Sequence, residues 1–158
     1  MYILHPTHLK FLKAMLDTDV DFLLIGGYAV IFHGYVRSTG DMDVWLKPTN
    51  ENKLKVLKAF EKTEIHPDDI QQLENSFDFT SVVVFHFGLP PERIDFLTKV
   101  PGVDFDKAFE RKEVMRIDGS DVPVLHLDDL IVSKIIAARP QDKADVEILQ
   151  QINQKKAN

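Results

Sequence analysis

Apolar residues recur along the chain in two periods, and the switches between them mark out short elements. His8 to Leu16 reads as a helix, with Leu9, Leu12 and Leu16 at helical spacing. Asp21 to Ile25 is an apolar run cut off by Gly26-Gly27, the pattern of a buried strand ending on a glycine turn. A short helix, Tyr28 to His33, is closed by Gly34, and the polar loop Arg37-Ser38-Thr39-Gly40 leads into a strand over Asp41 to Lys47. Asn50 to Lys62 predicts a helix with Leu54, Leu57 and Phe60 on one side, and His66-Pro67-Asp68-Asp69 opens another. Val82 to Phe87 and Arg93 to Thr98 predict an antiparallel pair joined by Gly88-Leu89-Pro90-Pro91. Asp104 to Arg111 predicts a helix. Val114 to Ile117 and Val122 to Leu125 flank Asp118-Gly119-Ser120 as a hairpin. Two helices, Leu127 to Ala138 and Gln141 to Ile152, follow on either side of Pro140. The fold class is α/β or α+β: a small mixed sheet flanked by helices, with helices at the C-terminal end.

Length and charge narrow this picture. The 158 residues fit one domain over 1–158, its C-terminal helical part at about 127–152. Such a chain buries roughly 70% of its unfolded surface and needs no staples. It has no Cys, so disulfides and thiolate metal sites are excluded. Met1 to Lys13 lacks the apolar core of a signal peptide, and the apolar runs are strand-sized, so the expectation is a cytoplasmic protein with no membrane partner. A net charge of −6 argues against a general nucleic-acid binder. The polar tail Gln150 to Asn158 is expected to fray.

Candidate chemistry centres on three acids. On a strand, Asp41 and Asp43 point the same way, and paired carboxylates repel unless a cation lies between them. A hard dication such as Mg²⁺ takes oxygen ligands and keeps positions open for phosphate. Alone, such a pair is more often a turn cap beside a solvated strand residue. Upstream, Gly26-Gly27 would let a polyanion approach the backbone, though a Gly-Gly pair by itself often marks only a tight turn. No Lys-Ser/Thr follows, so this is not a P-loop. Asp95 lies inside an apolar strand, opposite in facing to Ile94 and Phe96. It is equally readable as a salt-bridge partner of Arg93 or as a third metal-binding acid.

Gly26-Gly27, Asp41-Met42-Asp43 and Asp95 together resemble the signature of DNA polymerase β-like nucleotidyltransferases. Tyr28-Ala29, His33-Gly34, Arg37 and Thr39 are similar to small bacterial members related to toxin–antitoxin and abortive-infection (AbiE-type) systems. So are Leu130-Ile131, Lys134, Arg139-Pro140, Asp142-Lys143 and Ala144-Asp145. The resemblance implies transfer of a nucleoside monophosphate from an NTP to an acceptor hydroxyl, with Mg²⁺ as cofactor and pyrophosphate released. It implies that Asp41 and Asp43 bind metal and triphosphate, and that Asp95 completes the site and assists deprotonation of the nucleophile. A tRNA end, a protein side chain or a small molecule could serve as acceptor, and a cognate antitoxin as partner. A catalytically degenerate module that only binds Mg–NTP or serves as a partner subunit is the alternative. Many members carry Ser where this chain has Gly27, so one phosphate contact must come from the backbone, Ser38 or Thr39.

Around these sit residues with two readings. Arg37 reads as a triphosphate contact or an exposed loop residue, and His33 as a participant or a helix end. Lys134 shares a helix side with Leu127 and Leu130. It reads as a structural partner of Asp142 or Asp145, or, by the resemblance, as a phosphate contact. Arg139 suits a helix C-terminus in any case. Tyr28 and Trp45 read as stacking groups, although a large aromatic on a central strand more often belongs to the core.

Overall fold

The computed structural model describes residues 4–157. Residues 1–3 of the amino-terminal stretch and Asn158 of the tail lie outside the described residues. In chain order the elements are α1 (Pro6–Asp17), β1 (Phe22–Ile25), α2 (Gly26–Phe32), β2 (Met42–Leu46), α3 (Asn50–Glu61), α4 (Pro67–Ser76) and β3 (Val84–Phe87). Then come β4 (Ile94–Leu97), α5 (Phe105–Glu110), β5 (Glu113–Ile117), β6 (Ser120–Val124), α6 (Leu127–Ala137) and α7 (Pro140–Ala157).

The strands form one six-stranded sheet in the order β3-β4-β2-β1-β6-β5. The pairs β1/β2, β3/β4 and β5/β6 are antiparallel, while β2/β4 and β1/β6 are parallel, so the sheet is mixed. The apolar strands β1 and β2 are its centre. One face carries Met42, Val44 and Leu46 with Phe96, which faces Val44 in register. There Phe60 of α3 meets Phe96 at 5.2 Å and Phe85 stacks on it at 5.1 Å, with Phe11 of α1 closing the layer. The opposite face carries Asp43 and Trp45, with Asp95 and Leu97 beside them.

Buried polar groups fix how the strands meet. Asn52 is 2% exposed; it receives the Asp21 amide and donates to the Asp21 and Lys47 carbonyls, tying the outer ends of β1 and β2. His8 is fully buried and donates from Nε2 to the Arg93 carbonyl, while Nδ1 accepts from the Tyr28 hydroxyl at 2.9 Å. A carbonyl only accepts, so this pairing sets the tautomer. The same Arg93 carbonyl receives the Met42 amide, which locks β2 and β4 together where their acids lie.

Several expectations change. The strand expected from Val82 starts at Val84, because the Thr98 hydroxyl receives the Val83 amide and donates to the Ser81 carbonyl in place of a ladder. Leu54 is 58% exposed; α3 buries Val56, Leu57, Ala59 and Phe60, since steps of three residues drift about 60° around a helix. α2 begins on Gly26 rather than Tyr28. The tail expected to fray is helical to Ala157: Ile152 packs against the core and Asn153 donates to Asp128. Among the described residues, no helix is long and apolar enough to cross a membrane.

Candidate active site

Parallel pairing of β2 with β4 sets Asp43 and Asp95 directly abreast, on one face of the sheet. Asp41 stands in the bend immediately before β2, two residues upstream. Burial pushes the Asp43 carboxyl up to about 6, and the Asp95 and Asp41 carboxylates push it the same way. Asp95 is steadied by Arg93, whose Nε and terminal nitrogen both reach Oδ1, at 3.0 and 2.9 Å. Among the described residues, no three carboxylate or imidazole side chains converge closely enough to cage a metal by themselves.

The glycine turn lies against this row. Gly26 has φ +66°, and a Cβ there would fall 2.1 Å from Asp43 Oδ2, so glycine is required twice over. At Gly27 a Cβ would fall 2.2 Å from Thr39 Oγ1 and 2.8 Å from Thr39 Cβ. The Thr39 hydroxyl therefore occupies the volume that a side chain at position 27 would take. Arg37 closes the same corner, its terminal nitrogen 3.5 Å from that point.

These residues line a cavity of about 680 Å³, together with Ser38, Asp41, Lys134, Arg139 and Gln141. Its far wall is an ion cluster from α6 and α7. Lys134, 7% exposed, donates to Asp145 at 2.9 Å and to Asp142 at 3.3 Å. Arg37 donates to Asp145 at 3.2 Å and to the Ser38 carbonyl; its Nε is buried without a hydrogen-bond partner. Arg139 holds Asp142 through Nε at 2.7 Å, and Gln141 holds Asp145 at 2.9 Å. The Arg139 and Lys134 partners keep the Asp142 carboxyl below the usual range despite the opposing pull of burial.

Thus Gly26, Gly27, Arg37, Ser38, Thr39, Asp41, Asp43 and Lys134 border one cavity. Asp95 is absent from its lining but borders the neighbouring one, with Asp43 between the two. Three other candidates point elsewhere. His33 is buried and donates from Nε2 to the Leu125 carbonyl at 2.7 Å. Trp45 donates to the Thr98 carbonyl and packs edge-on against Phe105 at 5.1 Å. Tyr28 is engaged by His8. Among the lining residues that sequence reasoning did not assign to a site are Arg139, Gln141 and Asp142. Their signal was the Arg-Pro break, where Ala138 takes a left-handed conformation (φ 54°), ends α6 and leads into α7.

The fold is shared with solved structures of low sequence similarity. TM1012 of Thermotoga maritima, described as a putative nucleotidyltransferase, superposes with a TM-score of 0.56 at 13% identity, over 95% of this chain and 96% of that one. The lincosamide antibiotic adenylyltransferase LnuA, solved with lincomycin bound, gives 0.51 at 13% identity, over 96% and 99%. No curated protein matches the sequence. Residues 8–156 match the family described as nucleotidyltransferase of unknown function (DUF6036), and the chain belongs to that family of nucleotidyltransferases.

Proposed function

We propose that the chain transfers a nucleoside monophosphate from an NTP to a hydroxyl acceptor, with a divalent cation, Mg²⁺, held by Asp41, Asp43 and Asp95. The observation that carries this is the row of acids itself. Asp43 and Asp95 are abreast and Asp41 is adjacent, and burial, reinforced by the charges of Asp95 and Asp41, raises the Asp43 carboxyl to about 6. Uncompensated carboxylates are costly, and an all-oxygen donor set suits a hard dication. Mg²⁺ commonly takes one or two carboxylates and completes its shell with water and substrate phosphate, so an all-protein cage is not required. Bound there, the cation would neutralise charge on the phosphates and the leaving pyrophosphate.

The chain's own groups divide the remaining work. The backbone at Gly26-Gly27 admits the triphosphate, and the Thr39 hydroxyl supplies the contact that a Ser at position 27 would otherwise make, with Ser38 beside it. Arg37 and Lys134 contribute positive charge, held in place by Asp145 and Asp142. Asp95, oriented by Arg93, receives the proton of the attacking hydroxyl. The acceptor reading includes an RNA end, a protein side chain or a small molecule, and the toxin–antitoxin role with a cognate antitoxin belongs to the same proposal.

The experiment supplies each α-labelled NTP with Mg²⁺ to a lysate containing the protein and follows the label. Transfer by the parent and its loss in Asp41→Ala/Asp43→Ala are expected. Labelling that persists in the double variant would remove these acids from the reaction. Mg–NTP binding without any transfer would instead favour a binding module.

A further inference from the structure

Beside the polar cavity lies a second one, of about 400 Å³. The two share Gly26, Asp43, Lys134, Arg139 and Asp142, yet they divide the acids between them. Asp41 borders only the polar cavity, Asp95 only the second, and Asp43 both. Apart from Ser133, the rest of the second lining is apolar: Ile25, Val84, Leu97, Val100, Pro101, Leu130 and Ala137.

Three parts of the fold hold that lining in place. Val84 pairs with Leu97 across β3 and β4, on the sheet face that carries Asp95. The turn after β4 is closed by a bridge between Val100 and Val103. It leans on α6 so closely that a Cβ at Gly102, where φ is +77°, would strike Ile136 Cδ1. Sheet, turn and helix thus meet around one apolar recess with Asp95 at its edge.

Resting on the transferase reading, we propose that this recess seats the acceptor, and that the acceptor is a small molecule with an apolar body and a hydroxyl. Its volume lies within the roughly 300–1,000 Å³ that holds drug-sized ligands. Apolar walls reward burial of an apolar body, and the few polar groups orient its hydroxyl. A nucleic-acid end calls for different walls, with cations along its backbone and aromatic faces for its bases. Among the described residues, no Phe, Tyr or Trp borders this recess. Its two cations are engaged, Lys134 by Asp142 and Asp145 and Arg139 by Asp142, and the chain is acidic at −6. In the step, the acceptor oxygen bonds to the α-phosphorus while the bond from that phosphorus to the oxygen bridging to the β-phosphate breaks. Pyrophosphate leaves with that electron pair, and the hydroxyl proton passes to Asp95.

Ala137 provides the test, because it is exposed and borders only the second cavity. Purified protein, Mg²⁺ and α-labelled NTPs are mixed with the low-mass, RNA and protein fractions of one lysate. Label is expected in the low-mass fraction. Ala137→Phe should cut that labelling by about tenfold or more while affinity for Mg²⁺ with an α,β-methylene NTP stays within about twofold, which also reports intact folding. Label in RNA or protein, undiminished by Ala137→Phe, would overturn the acceptor assignment and leave the transferase reading standing. Failure of the parent protein to bind the Mg–NTP analogue would sink both.

Discussion

Position 27 and Thr39 form an exchangeable pair, and swapping them tests how this site contacts phosphate. Gly27→Ser alone places a Cβ 2.2 Å from Thr39 Oγ1 and 2.8 Å from Thr39 Cβ. Ordinary contact begins near 3.4 Å, so the loop must shift, and overpacking of this kind costs about 1–3 kcal/mol. Thr39→Gly alone removes the hydroxyl; a hydrogen bond to a charged oxygen is worth about 1.5–3 kcal/mol, or roughly 10–150-fold in affinity. Ala would not suffice for the exchange, because the Thr39 Cβ is itself too close. In Gly27→Ser/Thr39→Gly the new hydroxyl enters the vacated volume, and most of both losses should return. Calorimetry with Mg²⁺ and an α,β-methylene NTP gives the affinities, and urea midpoints give the stabilities. A favourable coupling of about 1–3 kcal/mol is expected. Simple additivity of the two single losses would refute the idea that Thr39 stands in for a side chain at 27.

Other consequences follow from the same contacts. Asp43→Asn should stabilise the metal-free protein by about 2–3 kcal/mol at pH 7.5, since a carboxyl raised to about 6 is strained when ionised, and should abolish transfer; urea unfolding in EDTA that shows a loss would contradict this. Asp145→Ala should destabilise by about 3 kcal/mol, because it strips Arg37 and Lys134 of a fully buried partner; denaturant curves within about 1 kcal/mol of the parent would count against the cluster. Gly26→Ala should lower labelling sharply, since the added methyl must displace Asp43, whereas unchanged labelling would free that glycine from the site. His33 is held below its ordinary value of 6.5 by burial and by Lys156 and His126, against the Leu125 carbonyl and Glu113. The unfolded chain therefore binds the proton first, so stability should fall as pH drops from about 6.5 towards the lowered value. His33→Gln should flatten that part of a pH–stability curve, and an unaltered slope would assign it to other groups.

What could be read beforehand, and what could not, has a physical pattern. Alternation along Asp41–Lys47 and the Gly26-Gly27 stop mark β2 and the turn, because both are local in sequence. That Asp95 comes abreast of Asp43 depends on a parallel register across about fifty residues, which periodicity does not carry; the resemblance suggested it, and the His8–Arg93–Met42 contacts explain it. Lys134 was legible as inward-facing, but its two readings coexist: the ammonium is paired with Asp142 and Asp145 and also borders the cavity. The apolar recess left no trace in the sequence because its lining is assembled from β3, β4, the 100–103 turn and α6, segments separated along the chain. Gln150 to Asn158 looked too polar to order, yet one apolar side chain, Ile152, and the Asn153–Asp128 bond fall where the helix meets the body.

Titration of an α,β-methylene NTP into the protein, with and without Mg²⁺, most directly tests whether the acid row is a cation seat for triphosphate. Binding that needs Mg²⁺ in the parent and is lost in Asp41→Asn/Asp43→Asn is the expected result. Equal affinity without Mg²⁺, or full affinity in that variant, would contradict it.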